Sequence, residues 1–416
     1  MRIILHIDFN SYFASVEQQA NPRLREKPIG VTGGDRMKRT VIGAASVEAK
    51  TYGVRTGMQL WEAKKLCPEI ILVPGDSDKY LEVTKRFLNI LKDYSPYLEI
   101  FSIDEVFLEV ESLVTRVESQ EKDTLDSRLL TLAATIKSRI RIEIGEVITC
   151  SIGISYNKLM AKLAGSLQKP DGLVIIPDQQ RAIEVLDRVE LDAVCGIGFR
   201  IKKRLFSMGV TDFKKLRSVP QSALLASFKS YGQTLYNISR GIDNSPIVPF
   251  YEKEEVKSIG HRHTISHDTN DLVEVKQIAL QLTELIARKL RAKKLVGRTV
   301  SCWFRYGDFE GGGMQTTIMD TDDGLDIYKA AWKIFNQGWD GNPIRMVGVS
   351  ISNLKPQTPQ NLSFLEEIHQ REVITKALDK INDKYGEFIL QRGILLKTRK
   401  LRRMANSFLA DRRFKI

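Results

Sequence analysis

The chain opens on an alternation. Ile3, Leu5 and Ile7 interleave with Ile4, His6 and Asp8, the period-two rhythm of a β-strand. The pattern over residues 1–19 predicts a strand that turns into a helix. Residues 20–76 read as a compact insertion with a turn at Gly33-Gly34 and a helical stretch around Met58–Leu66. A helix is expected from Ser77 to about Tyr94, strand-like segments across Leu98–Val110, a helix at about Thr124–Ile144 and a strand at Glu146–Ile154.

Residues 177–241 are mostly helical in pattern, punctuated by Gly196, Gly198, Gly209, Gly232 and Gly241. The polar, proline-bearing stretch from Asp243 to Glu255 reads as a linker. Beyond it, residues 257–355 mix a helix (Leu272–Leu295) with strands (Thr299–Tyr306 and Met346–Leu354), which predicts a small α+β domain. From Lys355 onward the chain is a polar tail with one more helix, ending in the basic run Lys397–Arg403.

Length and composition narrow the class. A chain of 416 residues exceeds the usual reach of one core, so two to four domains are expected. No apolar run is long enough to span a bilayer and the N-terminus does not read as a signal peptide, so a cytoplasmic protein without a membrane partner is expected. Cys67, Cys150, Cys195 and Cys302 are scattered with no CxxC spacing, which speaks for reduced thiols. Lys and Arg outnumber Asp and Glu by 63 to 51, and the resulting +12 suits a polyanionic partner.

Two acidic positions carry candidate chemistry. Asp8 ends the first strand, and Asp104-Glu105 interrupts an apolar stretch. In one straight strand Asp104 and Glu105 would face opposite sides, whereas a hairpin there lets both lean toward one point. Neighbouring carboxylates stay ionised only beside a compensating cation, and magnesium favours such oxygens. His261, His263 and His267 alternate as on an exposed strand.

The wording of these segments is more specific. Asp8-Phe9-Asn10-Ser11-Tyr12-Phe13-Ala14-Ser15-Val16-Glu17 and Ser102-Ile103-Asp104-Glu105 resemble the two catalytic signatures of the Y-family DNA polymerases, the DinB/UmuC group. The resemblance continues through residues 48–55, 154–164 and 169–172, then Gly196-Ile197-Gly198 and Lys257-Ser258-Ile259-Gly260, covering roughly residues 1–355 in order. It implies an α+β, multi-domain right-hand polymerase with an additional α+β little-finger domain. The palm would be residues 1–19 and 77–176, the fingers 20–76, the thumb 177–241, the linker 242–256, the little finger 257–355 and the tail 356–416.

The same resemblance assigns roles. Asp8, Asp104 and Glu105 would be the catalytic carboxylates, holding two Mg2+ ions with the backbone carbonyl of Phe9. Phe13 would be the steric gate against a ribose 2′-hydroxyl, with Tyr12 the competing aromatic. Tyr12, Phe13, Lys50 and Lys169 would meet the incoming deoxynucleoside triphosphate. Gly196, Gly198, Lys202 and Lys203 would grip primer-template DNA through a helix-hairpin-helix spanning residues 191–209. Gln360, Leu362 and Phe364 are similar to a sliding-clamp peptide on an otherwise monomeric enzyme.

The chain also departs from the family pattern. Ala44, Val47 and Lys50 stand where Thr, Tyr and Arg are frequent, so two hydroxyls are absent and a guanidinium is replaced by a point charge. Weaker nucleotide binding, or substitute donors from Ser46 or Arg55, is expected rather than loss of activity, and small Gly43 and Ala44 imply an open roof over the nascent base pair. Two other classes share parts of this reading. A nucleotidyl cyclase can use a similar carboxylate palm without DNA-gripping elements, and a non-catalytic relative would bind primer-template without extending it.

Overall fold

The structure, a computed structural model, describes residues 2–33, 39–110, 125–252, 255–357, 366–386, 388–396 and 401. Among the described residues the chain divides into two compact units, the first holding residues 2–33 and 40–252 and the second Arg39 and the residues from 255 onward. The elements mix helix and strand throughout, so the fold class is α+β.

The first unit begins with β1 (Ile4–Phe9), buried along its length except for partly exposed Asp8. Ser11, in the left-handed region at φ 49°, turns the chain into α1 (Tyr12–Ala20). A small layer follows: β2 (Ile29–Thr32), β3 (Ile42–Ala45), α2 (Val47–Thr51), α3 (Leu60–Leu66) and β4 (Ile71–Pro74). Its sheet runs β3-β2-β4, with β2 parallel to β4. Ile42, Ala45, Ala49, Val54, Ala63 and Cys67 form its own small core. The sequence pattern anticipates only the helix here. Each strand has four residues, and β2 is buried at every position, which leaves no polar alternation to read.

Next come α4 (Ser77–Lys92), the hairpin β5 (Leu98–Ser102) and β6 (Glu105–Glu109), α5 (Leu125–Glu143), β7 (Cys150–Ser155), α6 (Lys158–Leu167) and β8 (Leu173–Ile176). The Asp76 carboxylate caps α4 by accepting from the amides of Asp78 and Lys79. The five strands order as β5-β6-β1-β7-β8. β1 is the central strand and is antiparallel to both neighbours. The side chains of Leu5, Ile7 and Phe9 share a core with Phe87, Leu88 and Leu91 of α4 and Leu129, Ala133 and Ile136 of α5. The opposite face of β1 therefore carries Ile4, His6 and Asp8, and Ile4 packs against Phe107 and Ala161 of α6.

Close packing of α6 on that face depends on Gly153. A Cβ there would stand 2.1 Å from the Ala161 carbonyl oxygen and 2.1 Å from the Gly165 nitrogen. Only a residue without one lets helix and strand backbones approach so nearly.

The rest of this unit is helical: α7 (Gln179–Leu186), α8 (Phe199–Ser207), α9 (Phe213–Ser218), α10 (Gln221–Phe228) and α11 (Tyr231–Ile238). Leu186, Leu205, Phe213, Leu224 and Leu235 close its core with Met160 and Leu163 of α6.

The second unit comprises β9 (Ser258–Thr269), α12 (Leu272–Ala292), β10 (Leu295–Tyr306), β11 (Gly311–Thr321), α13 (Gly324–Gly338), β12 (Ile344–Ser352), β13 (Lys355–Pro356) and α14 (Glu366–Tyr385). Its antiparallel sheet orders β11-β10-β12-β9. Residues of α12 and α13, among them Ile278, Ile286, Leu290, Ile327 and Phe335, pack against Val300, Phe304, Val347 and Val349 of the sheet. α14 is joined to α12 by a two-pronged ion pair: Arg291 Nε to Asp379 Oδ2 at 2.6 Å and Nη2 to Oδ1 at 3.0 Å. β11 and α13 were not anticipated, since β11 opens on three glycines that read as a loop.

No helix among the described residues is long and apolar enough to cross a membrane. Cys67, Cys150 and Cys302 are buried free thiols and Cys195 is exposed.

Candidate active site

β5 ends at Ser102 and β6 begins at Glu105, so the chain turns at Ile103-Asp104. The turn is pinned to β1: the Phe9 amide donates to the Asp104 carbonyl at 3.0 Å. Register then sets Glu105 directly opposite Asp8. The hairpin thus brings the acids of two distant segments to one end of the sheet. The ligand atoms of His6, Asp8 and Glu105 lie within 4.8 Å of one another.

Each carboxylate has a partner on one named oxygen. Asp8 Oδ2 meets the Lys169 ammonium at 2.8 Å. Asp104 Oδ1 accepts from the Ser102 hydroxyl. Glu105 Oε1 is approached by His6 Nε2 at 2.6 Å and by Lys162 Nζ. Burial pushes the Asp104 carboxyl above its usual range; the Ser102 hydrogen bond opposes this and the charge of Asp8 adds to it. Burial first, and then the charge of Lys162, holds His6 down to about 3, so its ring is neutral. Desolvation and the neighbouring Lys169 lower Lys50, while Asp8 opposes them.

The surrounding backbone is firmly tied. Asn10 Nδ2 donates to the Ser151 hydroxyl at 3.0 Å, and Asn10 Oδ1 accepts from the Asp171 amide at 2.8 Å. That bond fastens the segment bearing Lys169 to the end of β1. The ring of Phe9 stacks on Phe87 in the core with centroids 4.2 Å apart, so Phe9 offers the site its backbone. The nine-residue α1 begins at Tyr12, and the side chain of its N-cap, Ser11, makes no capping hydrogen bond. Its first amides are of the kind that meet anions.

The two aromatic candidates differ. Tyr12 is 3% exposed, and its hydroxyl donates to the Tyr80 carbonyl at 2.8 Å beside Thr84 Oγ1 at 2.8 Å. Phe13 is half-buried and stacks on Tyr80, centroids 4.3 Å apart and planes 18° apart. Tyr80 is itself fixed by Glu17, whose Oε1 accepts its hydroxyl at 2.8 Å and whose Oε2 meets Lys79 Nζ at 2.8 Å.

The expectation that Ser46 replaces a missing donor is corrected by its hydrogen bonds. Its hydroxyl accepts from the Ile29 and Ala49 amides and donates to the Lys27 carbonyl, as the N-cap of α2. It is fully buried and has no donor left for a ligand. Val47 and Lys50 are exposed on α2, as is Arg55 beyond it, while Ala44 is buried on β3.

In the helical region, residues 191–193 form a single 3-10 turn rather than a full first helix. Gly196 takes φ 102°, and its carbonyl accepts from the Tyr231 hydroxyl at 2.6 Å. Gly198 caps α8 without a side chain. Lys202 pairs with Asp192 at 2.8 Å and Glu190 at 3.2 Å, so its charge is shared within the hairpin, while Lys203 is exposed. Gln360, Leu362 and Phe364 lie outside the described residues.

Sequence reasoning missed three members of the site. His6 had a signal, for it is two residues before Asp8 and so on the same face of β1. Ser102 is two residues before Asp104 and reaches it only because the strand turns. Lys162 arrives on α6, and nothing local in its segment points to Glu105.

A central carboxylate strand flanked by a second acidic hairpin, with lysines converging on it, defines the palm of a nucleotidyl-transferring polymerase. The comparisons with known proteins agree. The impB/mucB/samB family matches residues 7–166, its C-terminal domain matches 256–364, and the DNA polymerase-iota thumb domain matches 192–243. DNA polymerase IV of Moorella thermoacetica is 36% identical over 396 residues, covering 94% of this chain and 96% of that protein. DNA polymerase IV 1 of Bacillus subtilis is 31% identical over 417 residues, covering 99% of this chain and 97% of its own length. A solved Y-family DNA polymerase chimera superposes with a TM-score of 0.71 at 23% identity, over 85% of this chain and 99% of the chimera. The chain belongs to the Y family of DNA polymerases, the impB/mucB/samB group. It is thereby a DNA-directed DNA polymerase with the right-hand fold and little finger of that family.

Proposed function

We propose that this chain performs low-fidelity, translesion DNA synthesis, adding deoxynucleotides to a primer 3′-hydroxyl without a proofreading exonuclease. The observation that carries the reading is the convergence of Asp8 and Glu105 beside Lys169 and Lys162, with Asp104 in the adjoining turn tied to β1 through its backbone. The donor set suits magnesium, since the carboxylates supply hard oxygens and the one nearby imidazole hydrogen-bonds Glu105. Asp8, Asp104, Glu105 and the Phe9 carbonyl would hold two Mg2+ ions, which supply Lewis-acid stabilisation of the reacting phosphate and its nucleophile. Lys169 and Lys50, with the first amides of α1, bind and orient the triphosphate. Phe13 bounds the sugar. Residues 1–19 and 77–176 act as palm, 20–76 as fingers, 177–241 as thumb and 257–355 as little finger, with Gly196, Gly198, Lys202 and Lys203 contacting duplex backbone. The enzyme works as a cytoplasmic monomer and meets a sliding clamp through Gln360, Leu362 and Phe364.

The test is primer extension with Mg2+ on intact and abasic templates by the wild type, Asp104→Asn and Glu105→Gln. The wild type extends past the lesion. Both variants lose extension by at least about 1000-fold while binding primer-template within about 3-fold. A variant extending near the wild-type rate removes its residue from the metal set.

A further inference from the structure

His6 is a buried polar side chain that the reaction does not use. It sits on β1 beneath α6, 1% exposed, with its ring 4.9 Å from that of Phe107. Nδ1 has no hydrogen-bond partner among the described residues. A Cβ at position 165 would come within 3.0 Å of that nitrogen, so Gly165 is the space in which the ring lodges. On the other side, Nε2 lies 2.6 Å from Glu105 Oε1. An acceptor sits at Nε2 and none at Nδ1, which places the ring proton on Nε2.

We propose that His6 is a positioning residue for Glu105: its Nε2–H fixes Oε1 and so turns Oε2 toward the bound cation. This rests on the metal reading given above. Lys162 shares Oε1 but is a flexible ammonium, 24% exposed at the side chain. His6 is walled in by Phe107 and Gly165 and lies opposite Gly153 on the neighbouring strand, so its ring is held by packing and by the one bond at Nε2. The rigid donor therefore sets the carboxylate rotamer, in the way outer partners orient metal ligands elsewhere.

The experiment compares full-length wild type, Glu105→Gln, His6→Leu, His6→Gln and His6→Asn, each bound to a dideoxy-terminated primer-template and a nucleotide. Mn2+ binding is titrated by electron paramagnetic resonance, and melting temperature is recorded alongside. Gln carries an amide at about the reach of Nε2; Leu has none, and Asn falls about one bond short. His6→Leu is expected to weaken Mn2+ binding by about 10- to 100-fold, with His6→Gln restored to within about 3-fold of wild type. His6→Asn should behave as Leu does, and it serves in place of Leu if the apolar variant does not fold. DNA affinity stays unchanged.

Three results overturn the proposal. One is a Leu or Asn variant that binds Mn2+ as tightly as the wild type. Another is a folded Gln variant as weak as Leu, which would make the ring a packing element and not a donor. The third is a wild type that binds Mn2+ no better than Glu105→Gln; that removes the metal reading itself, and is distinguishable from the first two.

Discussion

Sugar discrimination gives the sharpest test of the site, through Phe13→Ala. The ring of Phe13 stands in front of Tyr80, stacked at 4.3 Å. Tyr80 cannot follow it into an opened space, because Glu17, itself paired with Lys79, holds its hydroxyl and its carbonyl accepts from Tyr12. Shortening Phe13 to alanine therefore leaves a gap with a fixed back wall, large enough for the 2′-oxygen of a ribonucleotide. Ribonucleotide insertion relative to deoxynucleotide should rise by at least about 100-fold, or roughly 2.7 kcal/mol of lost discrimination at about 1.36 kcal/mol per tenfold. The stability loss should fall below the roughly 3–5 kcal/mol typical of a fully buried Phe→Ala, since Phe13 is only half-buried. Tyr12→Phe is the control. It removes the hydroxyl bonded to α4 and should cost about 1–2 kcal/mol of stability, with discrimination within about 3-fold of wild type. The assay measures kcat/KM for both nucleotide types on one template, with thermal melts beside it. Unchanged discrimination in Phe13→Ala refutes the gate. Collapse in Tyr12→Ala alone, with Phe13→Ala unchanged, would move the gate by one residue.

Three further outcomes follow from the geometry. Gly153→Ala places a Cβ 2.1 Å from two backbone atoms of α6, so α6 must shift; about 3 kcal/mol or more of stability should be lost, read from urea unfolding, with extension reduced as Lys162 moves. Asp379→Ala leaves partly buried Arg291 without its two-pronged partner and should raise amide hydrogen exchange across α14 by at least about 10-fold. Replacing Gln360, Leu362 and Phe364 by alanine should remove stimulation by a sliding clamp and leave clamp-free extension within about 2-fold.

The regular elements were legible where one face of the chain differs from the other. The helix expected from Ser77 is α4, ending at Lys92 and not Tyr94. The helix expected from Leu272 ends at Ala292, and Leu295 already belongs to β10. Legibility failed where burial is two-sided or glycine-rich, as in β2, β3 and β11. β7 carries the same lesson: all six of its residues are buried, and the strand starts at Cys150 rather than Glu146. At the site, the carboxylates were legible because their segments are distinctive. The groups that tune them were not, because Ser102, Lys162 and His6 reach them by a turn, a crossing helix and a strand face respectively.

The lysines add a constraint that the sequence hides. Asp8, Asp104 and Glu105 stand at one end of the sheet, and burial first, with the charge of Asp8 as a lesser cause, raises the Asp104 carboxyl. Lys169 on Asp8 and Lys162 on Glu105 supply positive charge beside them. A buried carboxylate without such a partner would destabilise the fold by several kcal/mol. On the proposed function, Lys169 must also be free for phosphate when a nucleotide arrives. Both needs are met if each lysine is held loosely: Lys169 is 39% and Lys162 24% exposed at the side chain, against 2% for His6. The ammoniums can then leave the carboxylates at little cost, while the imidazole stays. Replacing Lys169 by Met should accordingly harm two properties in different conditions. Without ligand it should lower stability by about 1 kcal/mol or less, given the exposure of the pair. With nucleotide it should raise KM by at least about 10-fold through the lost phosphate contact. A stability loss without any KM effect would make Lys169 a counterion of Asp8 alone.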